Sequence, residues 1–327
     1  PAGGAMHWSR LVDLPIAAVE LVARGFVDPL SAERVALVVV PLLTLGAAMA
    51  TLAALARRVL PDEQAIFAML LMPLAVDVLH QLRPMRIDHH GWQLVAGLVI
   101  ALALTQRGAR DGLIAGSAAA LWLAISVEGL PFVAGMLAFV GLRWASDRRE
   151  QAMLLATNAS VVGASVLLFA ALRASPDWST AWCDAMSPIW LAMLSVAGAG
   201  VAVTALLDPQ TRTLRMVGLG ASALAALVVL PLYAPHCLSG PFATLDPIAR
   251  DFWYVHVLEG QPIWKQNAVA AANALGLPLV GLVGSAFAFR ASGAETRRGW
   301  ATLVCLLAIA VAVTVQVQRG SGLANLL

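Results

Sequence analysis

Charge is scarce in this sequence. Only 12% of its 327 residues are Asp, Glu, Lys or Arg, against roughly 25% in an ordinary soluble domain, and the mean hydropathy is +0.81. With 60% of the chain hydrophobic, a single soluble core cannot hide the apolar surface. Period-two alternation is also lacking from the long Ala/Leu/Val runs. That excludes a closed barrel and leaves helices, the other structure that satisfies its own backbone hydrogen bonds in lipid. Net charge is +2 and the basic residues are dispersed, so nothing points to nucleic acid. Three cysteines, Cys183, Cys237 and Cys305, have neither CxxC nor Cys/His spacing, which excludes a cysteine-held structural zinc. A signal-peptide core and a spanning segment are both missing from the first 34 residues, and the chain opens at Pro1 without Met. It reads as an excised piece, with a further C-terminal portion expected beyond Leu327.

Apolar runs are what the chain has instead. Ten read as spanning helices, at about 35–56, 65–80, 92–105, 112–126, 128–144, 152–172, 189–207, 216–234, 268–289 and 300–317, of which the third and fourth are short. The expected fold is therefore all-α, a polytopic transmembrane bundle. Its parts are an external segment 1–34, a membrane domain 35–317 and an external tail 318–327. The stretch Leu11 to Arg24 is apolar but interrupted by Asp13, Pro15 and Glu20, which predicts a helix lying on the membrane surface. Placing the N-terminus outside puts twelve of 21 basic residues in five short inner loops, as cytoplasmic retention of positive charge requires. That orientation is expected in a cell (inner) membrane. The outer, extracytoplasmic face then carries residues 1–34 and the loops 81–91, 173–188 and 235–267, with every histidine in or beside one of them. No internal repeat stands out, and Asn158-Ala159-Ser160, inside an apolar helix, is a chance match to a glycosylation acceptor.

Two outer clusters hold most of the chemically useful side chains. The first is Arg83-Pro84-Met85-Arg86-Ile87-Asp88-His89-His90-Gly91-Trp92, with Asp77 and His80 just before it. A carboxylate and an imidazole two positions apart at a helix entrance can converge on a divalent cation, Mg²⁺ or Mn²⁺ being favoured by hard oxygen ligands. The bland alternative is a solvated loop whose acids pair with Arg83 and Arg86. The second cluster, Tyr233 to Lys265, contains Cys237, Asp246, Asp251, Trp253, Tyr254, His256, Glu259 and Gln261. Its length suggests function, while Trp253, Tyr254 and Trp264 also suit an interfacial aromatic belt. Glu128, at a turn between two apolar stretches, is either functional or a hydrated hairpin tip. Asp77 could support Asp88 or pair with Arg83. Trp178, Trp182 and Trp190 read as interface anchors. Cys183 and Cys237 share the outer face, so a disulfide can link their loops, although separate thiols are the default expectation.

Ile87-Asp88-His89-His90 resembles the Asp-His-His form of the second acidic motif in archaeal-type catalytic subunits of oligosaccharyltransferase, members of the GT-C superfamily of membrane glycosyltransferases. His256-Val257-Leu258-Glu259-Gly260-Gln261-Pro262 is similar to their external-loop Ser-Val-Ser-Glu-x-Gln-Pro segment. The resemblance implies a metal-assisted transferase acting on a polyprenyl-(pyro)phosphate-linked sugar donor. Asp88 and His90 would be metal ligands, and Glu259 would act at the metal or the acceptor. Arg319 could pair with donor phosphate, or simply snorkel at a helix end. His89, Asp77, Glu128, His256, Gln261 and His7 are supporting candidates, the last because Met6 to Arg10 could be the tail of the loop carrying the family's first acidic motif. That motif is not recognisable here. The Trp-Trp-Asp motif of the family's soluble domain is also missing, so sugar transfer is expected without N-glycosylation specifically. The rival readings are a transporter or flippase, and a non-catalytic assembly subunit. Transporters concentrate charge near the bilayer midplane, whereas here acids and histidines gather in outer loops.

Overall fold

The structure, a computed structural model, describes residues 8–174, 178–242 and 246–327, without the side chain of Glu295. Among these are fourteen α-helices and no strand. In chain order they are α1 (Asp13–Ala23), α2 (Pro29–Ala56), α3 (Asp62–Leu71), α4 (Val76–Leu82), α5 (His90–Leu104), α6 (Ala109–Ile125), α7 (Leu130–Ser146), α8 (Gln151–Leu172), α9 (Pro188–Leu207), α10 (Arg212–Tyr233), α11 (Pro247–Phe252), α12 (Ala268–Ala291), α13 (Ala294–Gln316) and α14 (Ser321–Ala324).

Seven helical segments are long and apolar enough to cross a membrane: Pro29–Ala56, Val127–Ser146, Arg148–Leu172, Pro188–Leu207, Arg212–Tyr233, Ala268–Ala291 and Thr296–Gln316. Only 17% to 44% of each most apolar window is buried within the protein, so most of that surface requires lipid. Leu207, Leu232 and Val280, for example, stand about 70% exposed or more. The expected span at 65–80 is a broken one. Asp62–Leu74 and Val76–Leu82 meet at 76°, because Pro73 cannot donate a backbone hydrogen bond and the chain tightens into a 3₁₀ turn before restarting. The third and fourth expected spans are the short helices α5, with 15 residues, and α6, with 17, which are not among these seven.

The chain divides into two compact units. One comprises residues up to Leu11 and Arg107–Arg250. Its tightest packing is α6 on α8, where Gly112 and Gly116, four apart, let the backbones approach. A Cβ on Gly116 would lie 2.4 Å from the Thr157 carbonyl, and one on Gly112 would lie 2.6 Å from that of Met153. This is the small-xxx-small contact by which helices associate in lipid without a hydrophobic drive between them. On α8, Asn158 is buried and its Nδ2 donates to the Leu154 carbonyl. Cys183 and Cys237 form a disulfide with a Cα–Cα distance of 5.3 Å, against the default of separate thiols. His236 lies close to these sulfurs, but bonded sulfurs are not thiolate ligands. Nearby, Trp190 Nε1 and Ser187 Oγ both donate to the Trp182 carbonyl, at 3.0 and 2.8 Å.

The other unit comprises Val12–Gln106 and Asp251–Leu327. Its first spanning helix, α2, starts at Asp28, whose carboxylate accepts the Leu30 and Ser31 N–H groups, with Pro29 at the first helical position. A stripe of Ala32, Ala36, Val40, Thr44 and Ala48 is buried, and α2 packs on α5. The predicted surface helix is α1, which also packs on α2 and leaves Leu14, Leu21 and Val22 more than half exposed. α12 and α13 form a hairpin, and Thr302 Oγ1 on α13 donates to the Leu104 carbonyl of α5. The chain end returns into this unit. Leu323 of α14 lies over Gly97 of α5, where a Cβ would come within 2.6 Å of it, and Ser321 Oγ donates to Asp77 of α4.

Candidate active site

The two clusters read from the sequence meet in the second unit. The first is built by the turn between α4 and α5. Met85 adopts a left-handed conformation (φ 71°), strained for a residue with a Cβ, and its N–H donates to the Leu37 carbonyl of α2 at 2.9 Å. This anchored turn delivers Arg86 and Asp88 to the first turn of α5. Asp88 Oδ1 accepts the His90 N–H at 3.1 Å and lies 3.0 Å from His90 Nδ1. Asp88 Oδ2 accepts from Arg86 Nε at 2.5 Å. Burial pushes the Asp88 carboxyl up, but the bonds from His90 and Arg86 outweigh it and hold the group well below the usual carboxylate range. The helix N-terminus adds positive potential in the same direction.

The second cluster arrives on three short 3₁₀ turns, Tyr254–His256, Leu258–Gly260 and Ile263–Lys265. Glutamines tie them together. Gln261 Nε2 donates to the Tyr254 carbonyl, and Gln266 Nε2 to those of Leu258 and Gln261. Gln261 also accepts the Gln318 N–H at 3.0 Å, which joins this loop to the turn after α13. Glu259 is thereby presented to two arginines, with Oε2 3.4 Å from Arg86 Nη2 and Oε1 3.9 Å from Arg319 Nη2. Arg319 packs against Gly260, where a Cβ would stand 2.9 Å from its Nη2.

The result is a row of alternating charge, Asp88, Arg86, Glu259, Arg319, although Arg86 and Glu259 lie 173 positions apart in the chain. Arg86 Nη1 also lies 3.0 Å from His80 Nε2, so all three guanidinium nitrogens are engaged. The sequence weighed Arg86 only as a bland partner for local acids, yet it is the residue that connects the two motifs. Asp88, His90 and Glu259 do not close to within 4.8 Å of one another as a ligand group, because Arg86 stands between the acids. Their chemistry nevertheless fits a divalent cation. Two carboxylates supply hard oxygens, and the buried His90 ring sets Nδ1 3.0 Å from Asp88 Oδ1, a nitrogen on the same side as the acid.

The other candidates take different places. His89 stacks on the His90 ring at 4.3 Å, Gln261 braces the loop, and His256 is exposed on the preceding turn. Asp77 accepts from Ser321, which fastens α14 to α4, and makes no ion pair with Arg83. Glu128 belongs to the first unit, in a turn where Ser126 Oγ accepts its N–H. His7 lies outside the described residues.

The helical fold is one seen in solved structures of an archaeal oligosaccharyltransferase. The chain superposes over its whole length on the archaeal oligosaccharyltransferase AglB from Archaeoglobus fulgidus in complex with an inhibitory peptide and a dolichol-phosphate, with a TM-score of 0.70 and 16% identity. The apo form of the Archaeoglobus fulgidus oligosaccharyltransferase gives 0.62 at 17% identity, and its complex with Zn and sulfate gives 0.57 at 15%. The chain spans 40% to 42% of the length of these proteins. No family model matches the sequence, and neither does any curated protein.

Proposed function

We propose that this chain is the membrane part of a metal-assisted glycosyltransferase that takes a sugar from a polyprenyl-(pyro)phosphate carrier at the extracytoplasmic side of the cell membrane. One observation carries the reading: the Asp88-His-His90 turn and the Glu259 loop, remote in sequence, form one charged cluster on a GT-C-type helical fold. The dolichol-phosphate bound by the archaeal neighbour and the Zn bound by another of its structures support the donor class and the cation. An apolar groove of about 510 Å³ between α1 and α2, lined by Val19, Val22, Phe26, Val35 and Val39, suits a lipid tail. Concentration of the charged row on loops fits a transferase better than a carrier, whose charges would lie at mid-membrane.

In this reading Asp88 and His90 would hold a divalent cation, Mg²⁺ or Mn²⁺, and Glu259 would act at the metal or at the acceptor. When bound, the cation neutralises charge developing on the leaving phosphate. Asp88, ionised well below neutrality, keeps an anionic ligand in place throughout the working range. The acceptor's nucleophile bonds to the anomeric carbon as the carbon–oxygen bond to phosphate breaks. The lipid phosphate leaves with the bonding pair, and the acceptor's proton passes to Glu259. Arg319, held by Gly260 and the Gln318–Gln261 bond, contacts phosphate oxygens through its planar guanidinium.

The test is transfer of labelled sugar from a polyprenyl-linked donor by the full-length protein with Mn²⁺. Asp88→Ala and Glu259→Ala should each lower turnover by at least about a hundredfold, the scale of removing a group that stabilises transition-state charge. Full metal-dependent activity in both variants would refute the assignment. Lipid exchange across vesicles without sugar transfer would favour the carrier.

A further inference from the structure

Arg86 occupies the position where a site reading of this cluster wants a cation. Its side chain is 20% exposed and spends every nitrogen: Nε on Asp88 at 2.5 Å, Nη2 on Glu259 at 3.4 Å and Nη1 on His80 at 3.0 Å. The guanidinium cannot be deprotonated in a protein, so a positive charge always sits between the two acids in this arrangement. A Mg²⁺ or Mn²⁺ ion binds carboxylate oxygen at about 2.1 Å and would meet the guanidinium at close range on the same oxygens. Two cations on one carboxylate edge repel strongly in a partly buried site.

We infer that Arg86 and the divalent cation are alternative occupants of the Asp88–Glu259 gap, and that Arg86, once displaced, is a donor-phosphate contact. The inference rests on the reading of Asp88 and Glu259 as a metal site. The row has the parts for such an exchange. Without a cation, Arg86 keeps the two carboxylates together across 173 positions of chain and prevents their mutual repulsion. With one bound, the long Arg side chain is released on a turn fixed at Met85, beside the phosphate that the cation attracts. Guanidinium pairs with phosphate oxygens bidentately, so release is favoured when lipid phosphate is present. Cation and lipid phosphate should therefore bind cooperatively, with Arg86 as the physical link.

The experiment is Mn²⁺ binding to the purified full-length protein, followed by electron paramagnetic resonance of free Mn²⁺, with and without a short-chain polyprenyl monophosphate. Without the lipid, Arg86→Gln should bind Mn²⁺ about tenfold more tightly than the parent, since the competing charge is gone. Adding polyprenyl phosphate should tighten Mn²⁺ binding to the parent several-fold and change Arg86→Gln far less. His80→Ala, which removes one of Arg86's three partners without touching the acids, should shift Mn²⁺ affinity in the same direction as Arg86→Gln. The exposed Arg83→Gln should leave it unchanged, since Arg83 is outside the row. Equal or weaker Mn²⁺ binding in both Arg86→Gln and His80→Ala overturns the inference, and so does undiminished lipid coupling in Arg86→Gln. If the parent binds Mn²⁺ and Asp88→Ala does not, such a result removes only the exchange. If neither binds, the metal-site reading falls with it.

Discussion

Asp88 is the residue on which most of the local electrostatics turn. Its carboxyl is held below its ordinary range by His90 and Arg86 against the opposing effect of burial. A depressed folded-state value means that the ionised group stabilises the fold at every pH above the unfolded value of about 3.9, and that this contribution drains away as pH falls below it. In the presence of chelator, the stability advantage of the parent over Asp88→Asn should therefore shrink as pH falls from about 5 to below about 4. Thermal unfolding across that series checks it, and an advantage that grows on acidification would contradict the sign. At Gly260 the neighbour is the far end of the Arg319 side chain, so Gly260→Ala should displace the guanidinium while leaving the backbone alone. The expected effect is a several-fold rise in the donor's KM with an unchanged melting temperature. Residue identities in this row were readable from the sequence, whereas its pairing was not. Spacing cannot tell whether Arg86 folds back on Asp88 or reaches a loop 173 positions away, because the Met85 turn that decides it has no distinctive composition.

At the level of helices, apolar runs revealed nearly every element, since lipid demands continuous hydrophobicity. The break at Met72–Leu74 was signalled by Pro73, a residue that sheer hydropathy outvotes in a window. α6 is short, yet it is fastened by Gly112 and Gly116, a four-residue spacing visible in the sequence and not exploited there. Gly116→Leu must drive a side chain into the Thr157 carbonyl, so it should cost at least the 1–3 kcal/mol typical of overpacking and separate α6 from α8. Lower melting temperature in detergent, with no change in Gly163→Leu on the open face of α8, is the expected pattern, since nothing lies within contact of a Cβ there. The turn at Ser321 was legible only as part of an external tail. Its bond to Asp77 depends on α4 being bent, a feature of the chain's three-dimensional course.

For the whole molecule, hydropathy specified a multi-pass membrane protein, and the helical fold matches that of an archaeal oligosaccharyltransferase over the full chain. The Cys183–Cys237 disulfide closes a loop 54 residues long within the first unit, and its removal in Cys183→Ala should cost about 2–4 kcal/mol. Alkylation after reduction, but not before, should label both sulfurs, and modification of either without reductant would argue against the bond. Such a bond forms in an oxidising compartment, in keeping with the proposed outward placement of these loops. The central claim is that two remote motifs share one cation. It is tested most directly by anomalous diffraction at the Mn edge from crystals of the full-length protein grown with Mn²⁺. A single strong peak in contact with Asp88 and His90 Nδ1, with Glu259 facing it and Arg86 withdrawn, is the expected result. A peak elsewhere, or Arg86 still seated between Asp88 and Glu259 at saturating Mn²⁺, would contradict it.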